Sequence, residues 1–409
     1  MKTMGRFGAF AALSAGLAML TQPAVAQKKY DAGASDTEIK IGNIMPYSGP
    51  ASAYGTIGKT EDAYFRKINE DGGINGRKIK FISYDDGYSP PKTVEQTRKL
   101  VEQDEVLLLF QTLGTAGNSA IQKYVDQKKI PHLFLATGAT KFGDSKNFPW
   151  TMGWQPNYQS EGRIYAKYIM EKHPTGKIGI LFQNDDYGKD YVKGLKDGLG
   201  DKAKTMIIAE FPYEVTDTTV DSQMVNLKAS GADIFYNVTT PKFAAQAIKK
   251  ISEIGWTPVH FLNSVSNSVG SVLKPAGLDN CKGILSVNYL KDPTDPQWKD
   301  DPALKKWSAF MEKYYPDGDR TSTFTVYGYL VSQTMVHVLT QAGDNLTREN
   351  IMKQAASMKD VELDMLLPGV KLNTSATDYY PLEQLQMQKF TGERWELFGP
   401  VISGEVGTN

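Results

Sequence analysis

The 409-residue chain has one cysteine, four histidines and no excess of either charge. Each shortage closes off a class of chemistry. Cys281, alone, can form neither an intramolecular disulfide nor a thiolate metal cluster, and is expected to pack as a small hydrophobe. His132, His173, His260 and His337 stand far apart, with no second His or Cys at ligand spacing, so no zinc site is expected. Lys plus Arg and Asp plus Glu number 46 each, which leaves no net field to attract nucleic acid or an anionic membrane. No G-x-S-x-G elbow and no Ser/His/Asp arrangement is present, so catalysis has no positive sign. Beyond residue 20, no stretch approaches the roughly twenty apolar residues of a membrane helix.

What is present begins with an export signal. Lys2 and Arg6 precede a largely apolar stretch, 7–20, and Ala24-Val-Ala26 has the small-x-small form of a cleavage site. Residues 1–26 therefore read as a signal peptide. No Cys stands at the cleavage point to take a lipid, so an exported, periplasmic protein starting at Gln27 is expected.

The pattern centres on residues 105–140. An apolar run, 106–110, reads as a buried parallel strand. It ends in a turn holding Gly114 and Gly117, followed by a helical stripe over 119–128. A second apolar strand, 132–136, ends in the small-residue turn 137–140. Ligands bind at this edge of an open parallel sheet, and a helix N-terminus there favours an anion. Strand-like and helix-like segments alternate on both sides. Strands are expected at 38–45, 77–84, 177–182, 205–211, 233–238 and 259–262, with an extended piece at 283–289. Helices are expected at 61–69, 92–103, 159–172, 191–199, 220–230 and 242–254. One run ends near 150 and a second spans about 177–285, which implies two similar α/β lobes with parallel sheets. Helices at 303–314, 325–341 and 348–358, then short strands at 369–372, 382–390 and 395–401, form a tail too small for a third lobe.

Several short motifs have an ordinary structural explanation. Ala53-Tyr-Gly-Thr-Ile-Gly-Lys-Thr60 matches a relaxed phosphate-loop pattern, but its loop is long and an exported protein meets little ATP. Asp85-Asp86 and Asp185-Asp186 end strands, where turn and helix-capping roles are expected. Tyr47, Ser48, Tyr54, Thr115, Thr140 and Tyr187 lie on loops after predicted strands. Such hydroxyls and rings suit a small ligand with a polar head and an apolar body.

The chain resembles the branched-chain amino-acid-type periplasmic solute-binding proteins of ABC importers over about 37–400. The likeness rests on Ile41-Gly-Asn-Ile-Met-Pro-Tyr-Ser-Gly49, Asn69-Glu-Asp-Gly-Gly-Ile-Asn-Gly76, Tyr84-Asp-Asp-Gly-Tyr88 and Gln183-Asn-Asp-Asp-Tyr-Gly188. It implies the type I periplasmic binding fold: two doubly wound parallel-sheet lobes joined by three crossovers, near 152, 287 and 388. The N-terminal lobe would then hold 27–152 and 287–388, and the C-terminal lobe 153–286 and 389–409. The resemblance also implies that Gly114-Thr115 and Gly138-Ala139-Thr140 hold a ligand carboxylate while Tyr187 faces the cleft from the second lobe. Tyr47, Tyr54, Thr239 and Ser264 complete the expected ligand-binding set. The loop matching the family's acidic partner for an ammonium, Asn263-Ser-Val-Ser-Asn-Ser268, has no carboxylate here, and Val238-Thr-Thr-Pro241 is uncharged too. Burying an ammonium without a counter-ion is costly. The expected ligand is thus a carboxylate without an α-amino group, with an aromatic or similarly apolar body. The expected partner is an inner-membrane ABC permease, with no cofactor, no metal and no nucleic acid, and the protein a monomer. A branched-chain amino acid or a short amide is the alternative ligand. A sensor subunit for a membrane receptor and a secreted α/β enzyme are the alternative roles.

Overall fold

The computed structural model describes Met1 and residues 28–404; residues 2–27, which hold nearly all of the expected leader, and residues 405–409 lie outside the described residues. Two sheets organise the chain. The first contains β1 (Glu38–Met45), β2 (Lys78–Asp85), β3 (Leu108–Phe110), β4 (His132–Leu135) and β5 (Thr151–Gly153), all parallel, in the order β2-β1-β3-β4-β5. The second contains β6 (Ile178–Gln183), β7 (Ile207–Tyr213), β8 (Ile234–Val238), β9 (Val259–Leu262) and β10 (Leu285–Asn288), then β11 (Gln384–Phe390) and β12 (Trp395–Ser403). Its order is β12-β11-β10-β9-β8-β6-β7, parallel except for the last two strands. The central strands β3, β4 and β8 are buried at every position, as expected of strands covered by helices on both faces.

Among the described residues, ten helices are eight residues or longer: α1 (Gly55–Glu70), α2 (Pro90–Arg98), α3 (Thr115–Gln127), α4 (Tyr158–Lys172), α5 (Asp186–Leu199), α6 (Asp221–Ala229), α7 (Pro241–Glu253), α8 (Pro302–Tyr314), α9 (Thr323–Ala342) and α10 (Arg348–Ala355). The late helices pack on the first lobe. Tyr64 of α1 meets Phe310 of α8 and Tyr329 of α9, with ring centroids 5.7 and 5.2 Å away. Gly328 of α9 lets α1 come close, since a Cβ there would stand 2.8 Å from the Ile57 carbonyl oxygen.

The chain crosses between lobes three times: after β5, after β10 and before β11. The second crossing follows Asn288, and the third precedes Gln384 rather than falling near 388. The antiparallel register Leu285↔Lys389 and Asn288↔Gln386 fixes all of β11 in the second sheet. Trp154, at the first crossing, is fully buried; its Nε1 donates to Thr334 Oγ1 at 3.0 Å and its ring meets Tyr289 and Tyr327 edge-on. The strand expected at 369–372 is instead a loop, tied by a single bridge from Leu372 to Val361. Cys281 is buried, and burial pushes its thiol up to about 12. Among the described residues, no helix is long and apolar enough to cross a membrane.

In the second lobe α4 and α5 touch backbone to backbone. A Cβ on Gly194 would lie 2.3 Å from the Gln159 carbonyl oxygen, and one on Gly162 would lie 2.6 Å from the Leu195 nitrogen. Backbone cannot yield as a side chain can. The substitution Gly194→Ala is therefore expected to cost about 2 kcal/mol, despite alanine's better helix propensity. Urea unfolding checks this: the midpoint should fall with the slope unchanged.

Candidate ligand-binding site

Between the lobes lies a cavity of about 60 Å³. A water needs roughly 10–15 Å³ on this measure, so the space admits a molecule of several heavy atoms. The first lobe supplies Tyr54, Ile57, Tyr88, Leu113, Gly114, Thr115 and Ala136, and α9 supplies Thr323, Phe324 and Tyr327. The second lobe supplies Tyr158, Tyr187, Thr240, Ser264, Val265 and Asn267, and the crossings supply Gln155 and 288–290. No Asp, Glu, Lys, Arg or His stands among the lining residues, and six of them are tyrosines.

The first turn of α3 faces this space. Its N-cap is Gly114, at φ 104°, and no side chain accepts from the helix's first N–H groups. A Cβ at Gly114 would meet the Tyr88 ring at 2.7 Å, so glycine serves both the backbone angle and the close approach of that ring. The starts of α1 and α7, next to the lining residues Tyr54 and Thr240, likewise have no side-chain cap, whereas others do. Asn157 caps α4, Asp185 caps α5 and Ser322 caps α9, each with its own side chain. A buried network holds the α3 turn in place. Asn118 Nδ2 donates to the Thr112 and Gly114 carbonyls at 2.8 Å each, and Thr112 Oγ1 donates to Asn118 Oδ1. With its proton so used, Thr112 Oγ1 accepts from His132 Nε2 at 2.6 Å. Thr115 Oγ1 lies 2.7 Å from Thr137 Oγ1, tying the two small-residue turns together.

Of the residues expected from sequence, Tyr54, Gly114, Thr115, Tyr187 and Ser264 line the cavity. The other five do not. Tyr47 turns outward, with its hydroxyl 2.6 Å from Ser83 Oγ in a surface groove beside Lys59 and Arg66. Gly138 seats the Tyr158 ring, which a Cβ would meet at 2.8 Å. Ala139 N donates to Thr137 Oγ1 at 3.1 Å, and with Gly138 it borders a separate void of about 10 Å³, barely one water. Thr140 is already engaged: its N and Oγ1 donate to Asp190 of α5 at 2.8 and 2.9 Å. The expected anion turn thus holds a carboxylate of the opposite lobe. Burial raises the Asp190 carboxyl above the ordinary range, against the pull of these donors and of Gln159. Thr239 is sealed inside the second lobe, its Oγ1 donating to Asn237 Oδ1 at 2.7 Å, and the adjacent Thr240 takes the lining position.

Other contacts cross the cleft. Tyr54 Oη donates to the Val265 carbonyl at 3.0 Å, and Lys141 pairs with Asp186 at 3.1 Å on the surface. Tyr327 Oη accepts from Gln111 and donates to Gln155 Oε1 at 3.0 Å, and Gln155 Nε2 reaches the Tyr158 hydroxyl at 3.3 Å. Sequence reasoning missed all of the lining from the crossings and α9. Tyr88 was in view, as the last residue of a quoted motif. Thr323 and Phe324 had a signal in Ser322, an N-cap type just before an apolar helix. Among the described residues, no group of three or more His, Cys, Asp or Glu is placed to hold a metal ion.

Known proteins place these features in context. A family model described as periplasmic binding protein matches residues 38–390. A Leu/Ile/Val-binding protein homolog from Brucella abortus is 24% identical over 343 residues, covering 81% of this chain and 87% of that protein. A fatty acid ABC transporter substrate-binding protein from Thermomonospora curvata superposes with TM-score 0.77 at 22% identity, covering 92% of this chain and 95% of that one. A branched-chain amino acid ABC transporter protein from Thermus thermophilus, with bound valine, gives TM-score 0.80 at 15% identity, covering 90% and 97%.

The histidines give the site a pH dependence. Burial lowers His132 and His260 from 6.5 to about 3. Protonating His132 would add a charge and an N–H at Nδ1, which has no partner. The unfolded chain binds those protons from pH 6.5 downward and the folded chain does not, so stability falls as pH drops. The loss amounts to about 2 kcal/mol per histidine between pH 6.5 and 5, while buried acids with raised values, Asp190 among them, act oppositely. Urea midpoints at pH 7 and pH 5 should show His132→Gln losing less stability on acidification than the parent chain.

Proposed function

The chain belongs to the periplasmic binding protein family, and on that footing we propose that it is the extracytoplasmic solute-binding component of an ABC importer. Its cargo is a small carboxylate without an α-amino group, with an aromatic or otherwise apolar body. One observation carries this reading. The uncapped N-terminus of α3 opens onto a cavity whose wall contains no charged side chain. Its free N–H groups and positive dipole end stabilise an anion. An ammonium would find no opposite charge on the same wall, and burying it unpaired is expensive. The ring-rich lining, Tyr54, Tyr88, Tyr158, Tyr187, Tyr289, Tyr327 and Phe324, suits a flat or extended apolar body.

Capture works by lobe closure. A ligand carboxylate docks on the first lobe at Gly114-Thr115, and the second lobe brings Tyr187 and Ser264 over its body. Because the ligand touches both lobes only when they meet, its binding energy favours the closed form. The role is binding and delivery to an inner-membrane permease. The valine carried by the Thermus protein favours the second reading, a branched-chain amino acid in the same place.

A thermal-shift screen of the chain from Gln27 onward against organic acids, amino acids and short amides decides between these readings. Ligands that bind only the folded state raise the melting temperature by mass action. Shifts with aromatic or aliphatic acids but not with leucine or valine are expected; the reverse pattern sinks the no-amine reading and keeps the importer role. For the best acid, Gly114→Ala should weaken binding by about tenfold or more, roughly 1.4 kcal/mol, through the lost backbone angle and the displaced Tyr88 ring. Tyr54→Phe should cost about 1 kcal/mol, the worth of its bond across the cleft. Titration calorimetry measures both.

A further inference from the structure

We propose, building on the carboxylate reading above, that the cargo is a hydroxy acid: the end away from its carboxylate carries a neutral hydroxyl, received by a wall of hydrogen-bond acceptors on the second lobe. The direction of each hydrogen bond behind that wall carries the inference. Ser264 Oγ donates to Glu161 Oε2 at 2.6 Å, and Ser264 N donates to Glu161 Oε1 at 2.7 Å. Glu161 is buried in α4 and also accepts from Tyr191 Oη at 2.9 Å, so the Ser264 proton is held away from the cavity. Asn267 spends both Nδ2 hydrogens, on Ser286 Oγ at 3.1 Å and on the Val287 carbonyl at 3.0 Å, and offers only Oδ1. Tyr213 donates to Gln183 Oε1 at 3.0 Å, which leaves Gln183 Oε1 and Tyr213 Oη as acceptors for the Thr240 hydroxyl, 3.4 and 3.3 Å away. One end of the Asn263 side-chain amide lies 3.2 Å from the Asn237 and Thr239 carbonyls, a place that only its nitrogen satisfies; with the amide so assigned, its oxygen accepts from the Tyr187 hydroxyl.

Ser264, Asn267, Thr240 and Tyr187 therefore all turn their hydrogens inward and their lone pairs to the cavity. The opposite side has the reverse sense. The first N–H groups of α3, on the first lobe, are free donors. Asn288, at the end of β10 beside the Val287 carbonyl that takes Asn267 Nδ2, spends Oδ1 on the Tyr289 and Leu290 nitrogens and keeps Nδ2 as a donor next to the acceptor wall. On the proposed scheme the α3 donors of the first lobe take the carboxylate, and the lone pairs of Ser264, Asn267, Thr240 and Tyr187 on the second lobe face the ligand's other end, with Asn288 Nδ2 a donor beside them. A tail that is apolar throughout would bury four acceptors unpaired when the lobes close, whereas a hydroxyl donates to one of them. Glu161 touches no ligand in this scheme. It is a positioning residue that fixes the sense of Ser264.

The test is calorimetry on matched triplets. Benzoate, 4-hydroxybenzoate and 4-methoxybenzoate form one; 3-phenylpropanoate with its 4-hydroxy and 4-methoxy forms is a second; hexanoate, 6-hydroxyhexanoate and 6-methoxyhexanoate are a third. In the series that fits the cavity, the hydroxy acid should bind about tenfold or more tightly than its parent, and the methyl ether, which keeps the oxygen but loses the donor, should bind worst. If parents bind as well as hydroxy acids in every series that binds, the acceptor wall is wrong and the carboxylate reading stands. If no acid binds while leucine or valine does, or if nothing binds, both fall. A second readout separates positioning from mere structure. In Glu161→Gln the amide nitrogen can donate to Ser264 Oγ and release its proton to the cavity, so the preference for hydroxyl over ether should shrink about threefold or more. Should that variant not fold, Ser264→Ala should shrink the preference of hydroxyl over parent. An unchanged preference in the variant that folds overturns the assignment.

Discussion

A helix that begins without a cap inside a closed, uncharged space is the constraint on which the rest of the structure depends. The first N–H groups of α3 have no intrahelical acceptor, and Gly114 has no side chain to give them one. Helix starts elsewhere are mixed, and those of α1 and α7 at the same cavity also lack a side-chain cap. The starts of α4, α5 and α9 are each closed by a side-chain oxygen. The α3 turn is held by Thr112, Asn118 and His132, all buried, whose bonds fix its shape and leave its donors unspent. On the carboxylate reading, this combination of rigidity and unsatisfied polarity is what would make a receptor: the donors cannot relax toward an internal acceptor, so an anion bound there would gain their full interaction.

Tyrosine gives the cavity most of its ring surface. A ring covers apolar ligand surface, and its hydroxyl needs a partner when buried, so each tyrosine also joins two pieces of structure. Tyr54 links α1 to the second lobe through the Val265 carbonyl. Tyr327 links α9 to the first crossing through Gln155, and Gln155 passes the connection to Tyr158 at the start of α4. Tyr158, Tyr187 and Tyr191 form a cluster with centroids 4.4–5.6 Å apart, packed where α4 and α5 are brought together by Gly162 and Gly194. The same residues thus define the cavity and brace the elements that meet around it.

Much of this was legible in the sequence. The strands 38–45 and 259–262 coincide with β1 and β9, and the two βα runs separate where the sheets do. The errors have a pattern. Helices were expected to begin at 61, 119 and 191, but α1, α3 and α5 begin at 55, 115 and 186. Their first turns are rich in Gly, Thr and Asp and carry no apolar stripe, because part of each faces the cleft rather than the core. Periodicity reports burial against the core, so it fades where a helix meets a ligand. Tyr47 and Thr140 illustrate the other limit. Their loops lie at the correct sheet edge, but side-chain direction follows partners far along the chain, Ser83 and Asp190, which no local pattern names.

The Thr140–Asp190 junction has a consequence for transport. Together with the Tyr54–Val265 bond it joins the lobes through atoms of the protein alone. Every such bond lowers the free energy of the shut form whether or not cargo is inside, and so narrows the difference that cargo itself must supply. A shut shape is then an imperfect token of occupancy. A transporter that inspected only the outline of the two lobes would spend turnover on empty deliveries. A loaded shut form would then differ from an empty one in how long the lobes stay together, because cargo that bridges them slows their parting.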